Sequence, residues 1–196
     1  MVDRIVKFSE DNNMKVVLGY WVQEEDYTDK DPNKDGLQLE ADLNDLKVAK
    51  DTMRRVVERY GNSKAVLAWG IGNEVQLYQN HAWFTWKVSI NDYLNELYNY
   101  VRSIDNSHKP IMYAKYIGED ANFNNLYAEI IAPNAYFYSA QMLINNGQFS
   151  IPATEGRTYL LGEFCHFISD ASRHWDLSKQ YAGGFFLEFN DVWWKG

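Results

Sequence analysis

Two glutamates stand where an apolar run gives way to a loop. Glu74 ends "VLAWGIGNE" and Glu163 sits in "TYLLGEF", each a residue or two behind a glycine. A charged group at such a boundary costs several kcal/mol unless it is paired, hydrogen-bonded or neutralised. The chemistry that justifies the placement is proton transfer or nucleophilic attack. Two carboxyl groups converging on one face are the minimum equipment for retaining glycoside hydrolysis. One must hold a proton for the leaving group, and the other must stay ionised to attack the anomeric carbon. Further polar and aromatic residues fall at similar positions. Asn134 and Tyr136 follow "EIIAP", Glu188, Asn190 and Asp191 follow "GGFFL", and Trp193 and Trp194 come just after.

The elements that must position these groups alternate in length. "KVVLGYWV" (15–22) reads as a buried strand. Residues 39–62 place Leu39, Leu43, Leu46, Ala49, Met53, Val56, Val57 and Tyr60 at helical spacing, with Gly61 just past the end as a cap. "AVLAWGIG" (65–72) reads as the next strand. A helix near 89–104 follows, with Tyr93, Leu97, Tyr100 and Val101 on one face. Strands are expected at 110–116, 129–137, 158–165 and 183–191, and helices at 2–12, 122–128 and 171–180. The stretch 139–147 is irregular or helical.

Six strands in βα alternation imply an α/β fold with a parallel sheet and helices outside. The strands are mostly apolar rather than alternating, as parallel strands covered on both faces should be. Functional residues in such folds gather at the carboxyl ends of the strands, where these candidates lie. A doubly wound sheet and a (β/α)8 TIM barrel both fit the periodicity. No repeat, low-complexity tract or linker interrupts the chain, so residues 1–196 read as a single domain.

Composition narrows the partners. The 196 residues are 46% hydrophobic, enough for a real core, and carry a formal charge of −8. That balance argues against a nucleic-acid partner, which needs a basic face, and against an anionic membrane surface. Aromatic residues reach 16%, a surplus that suits a carbohydrate partner, because sugar C–H faces pack on flat rings. Cys165 is the single cysteine, which leaves no intrachain disulfide. No run approaches a membrane span and no signal-peptide layout opens the chain, so extracellular and cytoplasmic locations both stay open.

"WGIGNE", followed about 90 residues later by "LLGEF", resembles the acid/base and nucleophile strands of the clan A retaining glycoside hydrolases, β-glucanase-like and family 2-like members among them. The resemblance implies a (β/α)8 barrel with the two glutamates ending strands four and seven. It makes Glu74 the acid/base and Glu163 the nucleophile. Asn73 would bond the sugar 2-hydroxyl, and Tyr136 would orient Glu163. "AGGFFLEFNDVWWKG" is similar to strand eight of such enzymes, where aromatic residues floor the sugar site. Counting back from Glu74, the chain holds strands three to eight, about six of eight. The barrel is then incomplete, with open edges through which copies can associate, and the chain is a fragment of a longer protein. No residue here matches the arginine that the clan commonly carries on strand two.

The implied function is a retaining β-glycosidase acting on a β-linked glucan or oligosaccharide. A transglycosylase and a catalytically silent carbohydrate-binding fragment remain alternatives, as does a doubly wound protein whose glutamates coincide by chance. Glu188 either binds substrate or pairs with a strand neighbour, and Asn134 either lines the site or packs. Trp193 and Trp194 must diverge, so at most one faces sugar and the other packs. Trp21 or Tyr20 lines the cleft, whereas Trp69, inside its strand, is core. "HAWFTW" (81–86) either walls the leaving-group side or packs as a loop. His166, just after the nucleophile strand, either touches the site or is a satisfied structural histidine; His81, His108 and His174 lack ligand spacing, and no Gly-rich phosphate loop follows any strand. "DPNKDG" opens like a calcium loop, but Asp42 stands at position twelve, where glutamate is expected, and no helix enters. A polar strand-to-helix loop is the simpler reading of Asp31 to Asp42, so no metal or cofactor is expected.

Overall fold

The computed structural model describes residues 1–20, 39–41, 46–75, 84–86, 90–116, 126–134, 158–164 and 184–186. The chain divides into two compact units, Met1–Tyr113 with Ala121–Glu129, and Ala114–Asp120 with Ile130–Gly196.

The first unit opens with helix α1 (Val2–Asp11), then strand β1 (Val16–Gly19) and a short strand β2 (Leu39–Ala41). Helix α2 (Lys47–Tyr60) leads into strand β3 (Val66–Asn73), strand β4 (Phe84–Trp86) and helix α3 (Ile90–Ile104). Strand β5 (Ile111–Tyr116) follows, and within it the chain passes to the second unit. β3 lies between β1 and β5. β1 pairs with it in parallel, Leu18 opposite Trp69 and Gly19 opposite Gly70. The expected helix over 39–62 starts only at Lys47. Leu39–Ala41 instead pairs in parallel with Phe84–Trp86, a strand inside the segment read as a loop. A short apolar run suits either element until a partner strand is available to it.

The helices bury the stripes their periodicity marks. Ala49, Met53, Val57 and Tyr60 of α2 are buried, as are Tyr93, Leu97 and Val101 of α3. Lys50 on α2 reaches Glu96 on α3 at 2.6 Å. α1 has a different face on each side. Asp3 accepts both Nε and Nη2 of Arg59 and the hydroxyl of Tyr60, which ties α1 to α2. The Arg59 fork holds the Asp3 carboxyl below its ordinary range, and Asp3 in turn pushes the Tyr60 phenol up. On the opposite flank Met1, Ile5 and Phe8 are exposed. β1 is only half-buried where full burial was expected, because it stands at the sheet edge with β3 on one side.

The amino-terminal end of β3 is fastened by a buried carboxylate. Asp105, 2% exposed, follows α3 and accepts Trp69 Nε1 at 2.9 Å, Lys109 N at 2.8 Å, and both N and Oγ of Ser107. Burial alone raises its pKa. The hydrogen bonds from Ser107, Trp69 and the backbone of Lys109 outweigh that and hold it below the usual carboxylate range. Nearby, Glu129 ties α3 to β5. It accepts Arg102 and Tyr98 on one oxygen and Ile111 N on the other. Trp69 is fully buried, as its strand position implied.

In the second unit strand β6 (Ile130–Asn134) pairs in parallel with β7 (Thr158–Tyr159). Strand β8 (Leu161–Phe164) pairs in parallel with β9 (Gly184–Phe186). The expected strand 158–165 is thus two short ones, broken at Leu160, whose N–H donates to Ile131 O. Residues 126–128 are irregular rather than helical. The segments 139–147 and 171–180 lie outside the described residues. Among the described residues no helix is long and apolar enough to cross a membrane.

Two substitutions test this packing. Asp105→Ala strands the buried Trp69 donor and is expected to cost about 3 kcal/mol in urea unfolding. Because the folded carboxyl titrates lower than the unfolded one, its contribution is present above about pH 4 and fades as pH falls through the folded value. Asp105→Asn should flatten that acid limb, and an unchanged limb contradicts the assignment. Gly19→Ala places a Cβ 2.6 Å from Gly70 O, against backbone that cannot yield. It should cost about 2 kcal/mol, and a neutral result would show that β1 is free to shift.

Candidate functional site

In the first unit the polar candidates sit where β3 ends. Every β3 residue except Leu67 is buried as far as Gly72; the strand's last residue, Asn73, and the next residue, Glu74, are half-buried. Val75 then turns back into the core at 0% exposure. The chain therefore carries a carboxylate past the end of the strand, one residue beyond the first half-buried position, Asn73. Asn73 and Glu74 each engage neighbouring groups.

The backbone at Glu74 is unusual. Its φ is 52°, in the left-handed region, where an ordinary L residue loses about 1–2 kcal/mol. Among the described residues, two other non-glycine residues share the sign. Asn13 follows α1 as a helix-end residue does, and His108 lies in the turn that Asp105 anchors. Glu74 is not a residue type that tolerates this region readily. Strain of this kind persists where surrounding packing enforces it, and it clusters at functional sites. No sequence signal marks it, since the pattern offers glycine at 72 and none at 74.

In the second unit Asn134 ends β6 at 0% exposure, and it too engages neighbouring groups. Glu163 is the third residue of β8, and β8 lies alongside β6. Each of these residues therefore stands toward the carboxyl end of a parallel strand within its own unit. Tyr136, Glu188, Trp193 and Trp21 lie outside the described residues, as do Trp194, His166 and the loop 31–38. Among the described residues no group of three or more His, Cys, Asp or Glu side chains gathers to hold a metal. A cavity of about 360 Å³, lined by Ser9, Glu10, Lys15 and Lys64 among others, sits by the amino-terminal ends of β1 and β3. It is at the other end of β3 from Glu74.

The family model described as cellulase, glycosyl hydrolase family 5, matches residues 1–141. Among solved structures, a glycosyl hydrolase family 2 member from Bacteroides cellulosilyticus aligns with a TM-score of 0.51 at 21% identity. It covers 71% of this chain and 18% of its own. A Ruminococcus gnavus β-glucuronidase aligns with a TM-score of 0.52 at 12% identity, covering 77% of this chain and 32% of its own. A Faecalibacterium prausnitzii β-glucuronidase gives 0.50 at 16%, covering 76% and 31%. At these identities the likeness is one of fold, and the chain spans less than a third of the length of each of these three proteins. A search among curated proteins returns no match. The family match covers well over half of the residues and begins in α1, so the chain belongs to glycosyl hydrolase family 5.

Proposed function

We propose that this chain carries the strand-three to strand-eight part of a (β/α)8 retaining β-glycosidase, with Glu74 as acid/base and Glu163 as nucleophile. The observation that carries the reading is Glu74 itself. In a family 5 chain, it leaves a buried strand in a strained backbone conformation of the kind that clusters at functional sites.

The chemistry is a double displacement. A Glu163 carboxylate oxygen attacks the anomeric carbon, and the glycosidic C–O bond breaks as Glu74 gives its proton to the leaving oxygen. The glycosyl-enzyme ester then yields to water: Glu74, now ionised, takes a proton as the water oxygen attacks the anomeric carbon and frees Glu163. Asn73 would hydrogen-bond the sugar 2-hydroxyl, Tyr136 would orient Glu163, and Trp193 and Trp21 would supply stacking faces. Asn134 and Glu188 would complete the polar lining. The substrate class is a β-linked glucan or oligosaccharide. If a sugar replaces water in the second step, the same site acts as a transglycosylase.

A second reading, a carbohydrate-binding fragment without turnover, is favoured by the exposed Met1, Ile5 and Phe8 and by the half-buried edge strand β1. An activated aryl β-glycoside separates the two. Under the first reading the chain releases the aryl group, and Glu163→Gln reduces kcat by about 10⁴-fold or more. Glu74→Gln should spare the first step with such a good leaving group and slow the second, and added azide should restore turnover. Binding of a glucan oligosaccharide with no release, unaffected by Glu163→Gln, would establish the fragment reading instead.

A further inference from the structure

The positive φ and the glycine stand two residues apart in "GIGNE", and the mismatch is informative. Gly72 has no positive φ of its own, whereas Glu74 does. Gly72 is therefore kept for space rather than for its own torsion. A Cβ built at Gly72 would sit 2.9 Å from Val75 Cγ2, 3.3 Å from Leu94 Cδ2 and 3.4 Å from Tyr113 Cε2. Val75, Leu94 and Tyr113 are all fully buried, so none can swing out into water. The closest of them, Val75, comes from the same stretch of chain. Its side chain lies over position 72, and the bend at Glu74, the residue with positive φ, falls between the two.

We propose that Gly72 is the positioning residue for Glu74. Its missing Cβ seats Val75, and the seated Val75 holds the Glu74 backbone in the left-handed conformation. Without that seat the chain relaxes toward extended backbone at 74, and the carboxylate leaves from a different direction. The link to catalysis rests on the acid/base reading above; the link between Gly72 and the torsion does not.

The experiment is a set of thermal melts on the 196-residue chain that reads the torsion through residue type. Asn tolerates the left-handed region and Gln does not, while both remove the Glu74 charge. Glu74→Asn should therefore melt about 3 °C above Glu74→Gln. In a Gly72→Ala background that gap should vanish. In a Gly72→Ala/Val75→Ala background, where the added methyl has room, it should return. A gap that persists with Gly72→Ala alone, or that is missing from the parent chain, overturns the proposal. Should Gly72→Ala fail to fold, the double variant decides: it must fold and show the gap, or the proposal falls.

A kinetic arm distinguishes the two readings. With aryl glycoside turnover, Gly72→Ala should lower kcat at least tenfold with KM unchanged, and Val75→Ala should restore it. If the melts behave as described but Glu74→Gln leaves turnover intact on substrates with poor leaving groups, the acid/base reading fails and the positioning of residue 74 by Gly72 stands.

Discussion

A strand covered on both faces has no place along its length for a charge, so any group meant for ionic chemistry must wait until the strand ends. β3 obeys this closely. From Ala68 to Gly72 it is buried without a break, and the polar residues Asn73 and Glu74 come at once when the cover stops. Moving Glu74 two residues earlier would bury a carboxylate among Leu94, Tyr113 and Val75 at a cost of several kcal/mol. One residue later, the chain has already turned inward at Val75. The window for a half-buried side chain at this strand end is two residues wide, Asn73 and Glu74.

The two ends of β3 are treated differently. At the amino-terminal end the polar groups are satisfied in place: Asp105 gathers four donors around Trp69 and the following turn, and Glu129 locks α3 to β5. These networks rigidify the strand's start and ask for nothing from solvent. At the carboxyl end the backbone is strained rather than relaxed. In (β/α)8 barrels generally, the carboxyl ends of the strands carry the site and the opposite end serves stability. The parallel register of β1 with β3 and the close Gly19–Gly70 approach carry that rigidity sideways through the sheet.

Much of this was legible in the residues. The periodicity of α2 and α3 and the apolar run of β3 gave both the elements and their buried faces, because long amphipathic patterns leave few alternatives. Trp69 was readable as core from its place inside the run. Leu39–Ala41 was not readable, since three apolar-biased residues beside a helix look like its first turn until Phe84–Trp86 offers them a ladder. The half-burial of β1 was likewise invisible, as an edge strand and a central one share the same composition. Glu74 could be picked out by its motif, but its φ could not, because the glycine that permits the turn lies at 72. Gly61 stands at the C-cap as expected, yet with φ of −53° it serves the close approach of Val57 O, not a left-handed torsion.

The proposed function requires Glu74 and Glu163 to face one another across a single glycosidic bond. A crystal structure of the chain with a bound oligosaccharide measures this most directly. The account predicts carboxyl groups about 5–5.5 Å apart on either side of the anomeric carbon. A separation beyond about 9 Å, or a sugar seated away from both, would contradict it.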